Sequence, residues 1–162
     1  MILYFLRHGK AQPRSGTGGD SDLALIPEGQ TNVKKIVSLA KDNFACNVDR
    51  ILSSPYKRAV ETAEIAKEIL KPRKPKIITD AALAPERTPY ELYSFIAKQN
   101  FLPLEGVLVV SHQPIIGQSI ADLIGLGVNF GFSPGSMARI DVAGEPTSRS
   151  GNLVWLISSD VV

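Results

Sequence analysis

Cysteine is nearly absent: Cys46 is the only one in 162 residues. A single thiol cannot close an internal disulfide, so a disulfide-stapled secreted scaffold is excluded and a reducing, cytoplasmic setting is expected. Cys46 itself reads as a small buried hydrophobe. Histidine is scarce too. His8 and His112 are the only two, and no acidic cluster stands at ligand spacing beside them. That argues against a metal centre, and no cofactor is expected. Charge of one sign is not in excess, since 18 Lys and Arg against 16 Asp and Glu leave a formal charge of +2. With no dense basic tract, a nucleic-acid partner is not expected. No apolar run approaches the roughly 20 residues of a membrane span. Met1 leads straight into an apolar segment, with no basic n-region and no small-residue cleavage site, so no signal peptide is expected.

What is present is a regular alternation of short apolar runs with helical patterns. Hydrophobic residues make up 44% of the chain, enough over 162 residues for one domain, 1–162, with a substantial core. Strands are predicted over 1–6, 50–53, 76–79, 106–111, 137–142 and 153–158, the last two as a possible hairpin. Helices are predicted from Pro27, from Pro55 with Ser54 as cap, from Pro89 with Thr88 as cap, and over 114–124. Residues 10–26 read as a polar loop. Its stretch from Ser15 to Gly19 lacks the GxxxxGK[ST] pattern of a phosphate-binding loop and reads as a mobile flap or a disordered loop. The run Gly106-Val107-Leu108-Val109-Val110-Ser111 is apolar throughout, as in a sheet centre covered on both faces. The expected fold class is therefore α/β, a mostly parallel sheet with helices on both faces. Trp155 and Tyr4 read as core or sheet-face residues.

Three of these strands end in polar motifs: Arg7-His8-Gly9, Ser53-Ser54-Pro55 and Ser111-His112-Gln113-Pro114. Charge at the end of a core strand is costly unless an anion or another partner meets it. In open α/β sheets ligands bind outside the carboxyl ends of the strands, so parallel neighbours would bring both His and both Arg together. Guanidinium groups match phosphoryl oxygens in a fork and stay charged, which suits Arg7 and Arg58. Arg58, in the first turns of its helix, adds to the positive field there. A neutral imidazole can attack phosphorus and form phosphohistidine, and His8 is the candidate. Nearby guanidiniums would hold its pKa down, and a backbone carbonyl on its other ring nitrogen would orient it. Gly9 lets the chain turn closely beside the ring. His112 would donate to the same phosphoryl oxygens. Each residue alone has a plainer reading: Ser53-Ser54-Pro55 as a capping signal, Arg58 as the partner of Glu61 or Glu64. Their joint order on alternating strands is what favours the site. Lys10, Arg14 and Arg87 are candidates for a basic rim.

LRHGKA at 6–11, SSPYKRAVETA at 53–63 and VVSHQP at 109–114 resemble the histidine phosphatase superfamily, with its phosphoglycerate-mutase-like, three-layer α/β/α sandwich. The resemblance implies that His8 is the phosphorylated nucleophile and that Arg7, Arg58 and His112 complete the phosphate pocket. About fifty residues separate Arg58 from His112. That compactness, the SHQP segment and the later FSPGSMARIDV look like the small phosphohistidine phosphatases of the SixA type. The implied partner is a phosphorylated protein such as a histidine phosphotransfer domain, in signal transduction. Where many relatives carry an Arg in a segment resembling RPLTxxG, Leu23 to Gly29 has none.

Glu86, in ALAPERTP, is the positional candidate for a general acid toward an ester leaving group, and equally reads as an exposed residue leading a helix. An imidazole leaving group needs less help. Two alternatives accompany the leading one: a small-molecule phosphomonoesterase using Glu86, and a phosphate- or phosphoprotein-binding module without turnover, which the presence of His8 argues against. A mutase fits so short a chain less well.

Overall fold

All four residues from Leu3 to Leu6 are buried, which requires apolar cover on both faces of the first strand. A computed structural model describes residues 1–14, 18–101, 106–128 and 131–161, and supplies that cover. Strands β1 (Ile2–Arg7), β2 (Arg50–Ser53), β3 (Ile77–Thr79) and β4 (Gly106–Ser111) run parallel. Strands β5 (Met137–Val142) and β6 (Gly151–Ile157) form an antiparallel pair on one side, with β5 also antiparallel to β1. The order across the sheet is β3-β2-β4-β1-β5-β6.

Strand alternation sorts the core into two halves. Leu3, Phe5, Leu52, Val107 and Val109 face α3 (Pro89–Ala97) and α4 (Ile115–Ile124), meeting Leu92, Ile96, Ile116 and Ile120. Tyr4, Leu6, Ile51, Leu108 and Val110 face α1 (Pro27–Asn43) and α2 (Lys57–Leu70), meeting Val33, Ile36, Ala59 and Ala63. The result is a three-layer α/β/α sandwich. Tyr4 packs its ring 5.9 Å from that of half-buried Trp155 on the second face. Cys46 is buried in the same half, and burial pushes its thiol pKa up to about 12. Among the described residues no helix is long and apolar enough to cross a membrane.

Several predicted boundaries move by one or two residues. β6 starts at Gly151 rather than residue 153. Helix α2 starts at Lys57 with Tyr56 at the N-cap position and no side-chain cap, so Ser54 does not cap it. The Ser54 hydroxyl is taken up by His112 instead, as described below. Thr88 does cap α3, in a reciprocal capping box with Glu91. The polar segment after β1 is tied back on itself: Gln12 and Ala24 exchange hydrogen bonds of 2.9 and 3.0 Å, and Ala11 bridges Leu25. Residues 15–17, inside the predicted flap, lie outside the described residues.

Parallel strands end at one side of the sheet, and here they end in register. Arg7 lies opposite Ser111, and Ser53 opposite Val110. The ladders continue one residue further, His8 N–H donating to the Ser111 carbonyl and Ser54 N–H to that of Val110, both at 3.0 Å. His8 and Ser54, the motif residues that follow β1 and β2, are therefore held by the sheet itself.

The chain can make its turn after His8 only by passing α1 at close range. A methyl on Gly29 would lie 2.1 Å from the Lys10 carbonyl oxygen, and one on Gly9 would lie 2.7 Å from the Gly29 carbonyl oxygen. Both positions need glycine because backbone lies where a Cβ would be. Gly29→Ala is expected to lower unfolding free energy by about 1–3 kcal/mol. Urea denaturation of the variant checks this, and an unchanged midpoint would show that the crossing is not tight.

Candidate active site

His8 sits at the exit of β1 and is 9% exposed. Its Nδ1 lies 2.7 Å from the Gly9 carbonyl oxygen. A carbonyl only accepts, so Nδ1 carries the proton and Nε2 is bare. The bare nitrogen receives a hydrogen bond from Arg58 Nε at 3.3 Å. Gly9 is held in turn, its N–H donating to Thr62 Oγ1 at 3.1 Å, while that hydroxyl donates to the Arg58 carbonyl at 2.7 Å. Thr62 lies one helical turn after Arg58 and so links the two motifs. The His8 pKa is held down at about 4. Burial is the main cause; the Gly9 carbonyl opposes it, and the Arg58 and Arg7 charges add to it. The ring is therefore neutral at physiological pH.

His112, at the exit of β4, is buried, with its ring centroid 4.9 Å from that of His8. Its Nε2 meets the Ser54 hydroxyl at 2.8 Å, and its buried Nδ1 has no partner within the protein. Ser54 Oγ also accepts from the Tyr56 N–H at 3.3 Å. With the Ser54 proton given to His112 Nε2, the imidazole carries its own proton on Nδ1, as a donor without an acceptor. Burial, then the neighbouring His8 and guanidiniums, depresses this pKa as well. Arg7 is half-buried. It donates to the Phe132 carbonyl at 2.7 Å, and its buried Nε has no partner. Two buried donors without acceptors in one place mark a seat for an anion.

The structure thus brings Arg7, His8, Arg58 and His112 to one open cleft of about 400 Å³. A larger cleft of about 750 Å³, beside α3, is lined by Arg87 and Tyr90 but holds neither His, so chemistry rather than size selects the site. Arg58 pairs with neither Glu61 nor Glu64. Glu61 accepts the Leu25 N–H and Glu64 pairs with Lys67, while Arg58 NH2 meets Asp20 Oδ2 at 2.8 Å. Arg58 also donates to the Asp20 carbonyl, and its guanidinium lies 5.1 Å over the Tyr56 ring. Asp20 belongs to a short 3-10 turn, Asp20–Asp22, in a polar loop with no periodic pattern to announce it.

Glu86 is not among the residues lining this cleft. It is exposed in a turn before α3, and Tyr56 OH donates to it at 3.4 Å. Tyr56 in turn packs edge-on against His112, with centroids 5.0 Å apart. Of the predicted rim, Lys10 and Arg14 line the cleft, Lys10 paired with Glu28 at 2.9 Å. Arg87 instead lines the α3 cleft and pairs with Glu91. Among the described residues no group of three His, Cys, Asp or Glu side chains is placed to hold a metal ion.

A bare imidazole nitrogen against one guanidinium, in a cleft that also holds a second guanidinium and a second imidazole, is the equipment of phosphoryl transfer to nitrogen. The sequence profile of the histidine phosphatase superfamily (branch 1) matches residues 3–85, and the chain belongs to that superfamily of phosphatases. A phosphohistidine phosphatase SixA homolog of Haemophilus influenzae is 28% identical over 149 residues, 86% of this chain and 87% of its own length. The structure of the protein histidine phosphatase SixA complexed with tungstate superposes with a TM-score of 0.86 at 22% identity, covering 99% of each chain. A mycobacterial glucosyl-3-phosphoglycerate phosphatase superposes with a TM-score of 0.69 at 17% identity, over 94% of this chain and 96% of its own. The fold is the phosphoglycerate-mutase-like one.

The depressed pKa of His8 has a consequence for stability. Its folded value of about 4 lies below the ordinary 6.5, so between these values the unfolded chain binds more protons. Stability is lost as pH falls through that window and is recovered above it. Wild type should lose on the order of a few kcal/mol more than His8→Gln between about pH 6.5 and 4. Denaturation midpoints across pH measure this, and parallel curves for the two proteins would contradict it.

Proposed function

We propose that the protein removes the phosphoryl group from a phosphohistidine on a partner protein, through a covalent intermediate on Nε2 of His8. The observation that carries this reading is the tautomer of His8: the Gly9 carbonyl holds the proton on Nδ1 and leaves Nε2 unprotonated inside a cationic cleft. The incoming phosphoryl oxygens would take the free donors of Arg7 and His112 and draw Arg58 from its present partners. Nε2 attacks phosphorus in line, the substrate imidazole departs, and water then hydrolyses phospho-His8 to return free enzyme and inorganic phosphate.

Two further features favour a protein-borne phosphohistidine. The cleft is open, and among the described residues only β3, a 3-10 turn and α3 stand between α2 and β4. An imidazole leaves more readily than an alkoxide, so the position of Glu86 outside the cleft is no handicap. The similarity to the SixA homolog points the same way. A second reading, a small-molecule phosphomonoesterase with Glu86 as acid, draws on the Tyr56 hydroxyl, which links Glu86 to the ring packed against His112.

Turnover of a phosphohistidine peptide and of sugar phosphates, in wild type and Glu86→Gln, separates the two. The peptide should be the better substrate, with Glu86→Gln reducing only ester hydrolysis. Dominant sugar-phosphate turnover would reject the leading reading. Within either chemistry, His8→Ala should abolish turnover while keeping anion binding, and Arg58→Ala should weaken both, turnover by roughly 10²-fold to 10³-fold. Isothermal titration with phosphate beside steady-state kinetics reads both effects, and normal hydrolysis by His8→Ala would refute the covalent route.

A further inference from the structure

The guanidinium of Arg58 spans two groups of opposite character. Its Nε donates to the bare Nε2 of His8 at 3.3 Å, and its NH2 donates to the Asp20 carboxylate at 2.8 Å. Asp20 is therefore one guanidinium width from the nitrogen that would carry the phosphoryl group. It supplies the one carboxylate that lines the cleft among the described residues, and its side chain is 36% exposed, open to water. A phosphoryl group on Nε2 would bring its oxygens against Arg58 and compete with the carboxylate for the same fork. A carboxylate loosened from its cation, on the solvent side of a phosphoryl group, has one evident chemical use: it can accept a proton from water.

We infer that Asp20 is the proton acceptor for the second half of the reaction, the hydrolysis of phospho-His8. The assignment rests on the covalent route proposed above. A water oxygen forms a bond to phosphorus while the bond from phosphorus to Nε2 breaks and its electron pair returns to the imidazole. The proton released by the water passes to the Asp20 carboxylate and leaves to solvent after phosphate departs. His8 regains the bare Nε2 with which it began, and Asp20 regains Arg58. The same carboxylate thus neutralises Arg58 between turnovers and is freed for proton transfer by the charge of the bound group. The first half, attack on a phosphohistidine, makes no demand on it.

Rapid-quench kinetics with a radiophosphate-labelled phosphohistidine peptide tests this, comparing wild type, Asp20→Asn and Asp22→Asn. Asp22 lies in the same turn, is exposed and does not line the cleft, so its variant makes the same charge change outside the site. Asp20→Asn should take up label at the wild-type rate but lose it about 10²-fold more slowly, so that labelled enzyme accumulates in the steady state. Asp22→Asn should match wild type in both phases. Labelled Asp20→Asn that decays within about threefold of wild type would overturn the assignment and leave the covalent route intact. Slowed uptake with unchanged decay would also overturn it, by placing Asp20 in the first half. Failure of wild type to take label at all would contradict the covalent route itself, a separate result.

Discussion

The hydrogen bond between His8 Nδ1 and the Gly9 carbonyl oxygen, 2.7 Å long, is the constraint on which the site depends. It decides which ring nitrogen is bare, and so which one can reach phosphorus. The bond joins adjacent residues but is global in origin. The Gly9 carbonyl points at the ring because its own amide is bound by Thr62, and because the backbone squeezes past Gly29 at a distance no side chain would allow. The strand behind it is fixed by pairing with β4 on one side and β5 on the other. Geometry that looks local is thus imposed by the sheet, by α1 and by α2 together.

Electrostatics then sets the resting state. Two guanidiniums and two imidazoles share the cleft, and burying four cations there would be prohibitive. Burial together with the Arg charges keeps both imidazoles neutral, and Asp20 balances Arg58. What remains is a modest positive field and two spare donors, on Arg7 and His112. On the proposed reading, an arriving phosphoryl group would complete a charge balance that the protein maintains only partly by itself. The same neutrality leaves His8 the unprotonated nitrogen that the proposed covalent route requires.

Much of this was legible in the sequence because it is written at strand ends. Apolar runs followed at once by Arg7-His8, by Ser53-Ser54 and by Ser111-His112 place those residues at one edge wherever the strands are parallel neighbours. The apolar run from Gly106 to Ser111 foretold cover on both faces, and Val107 and Val109 meet one half of the core while Leu108 and Val110 meet the other. Ser54 was misjudged because a Ser before Pro at a helix start looks like a cap, and nothing local reveals that His112, distant in sequence, will claim its hydroxyl. Asp20 went unnoticed for a related reason: a carboxylate in an aperiodic loop carries no signal of the guanidinium it will meet. Thr62 was in principle readable, since it follows Arg58 by one helical turn on a buried face. The placement of Glu86 behind Tyr56 depends on how the turn before α3 folds, which no spacing rule supplies.

The most direct measurement is the site of covalent phosphate on enzyme quenched in base during turnover of a phosphohistidine peptide, mapped by peptide mass spectrometry. The account predicts one phosphorylated residue, His8, whose phosphate survives base and is lost in acid. Phosphate on His112 or on any hydroxyl side chain, or turnover with no phosphorylated enzyme at any time, would contradict it.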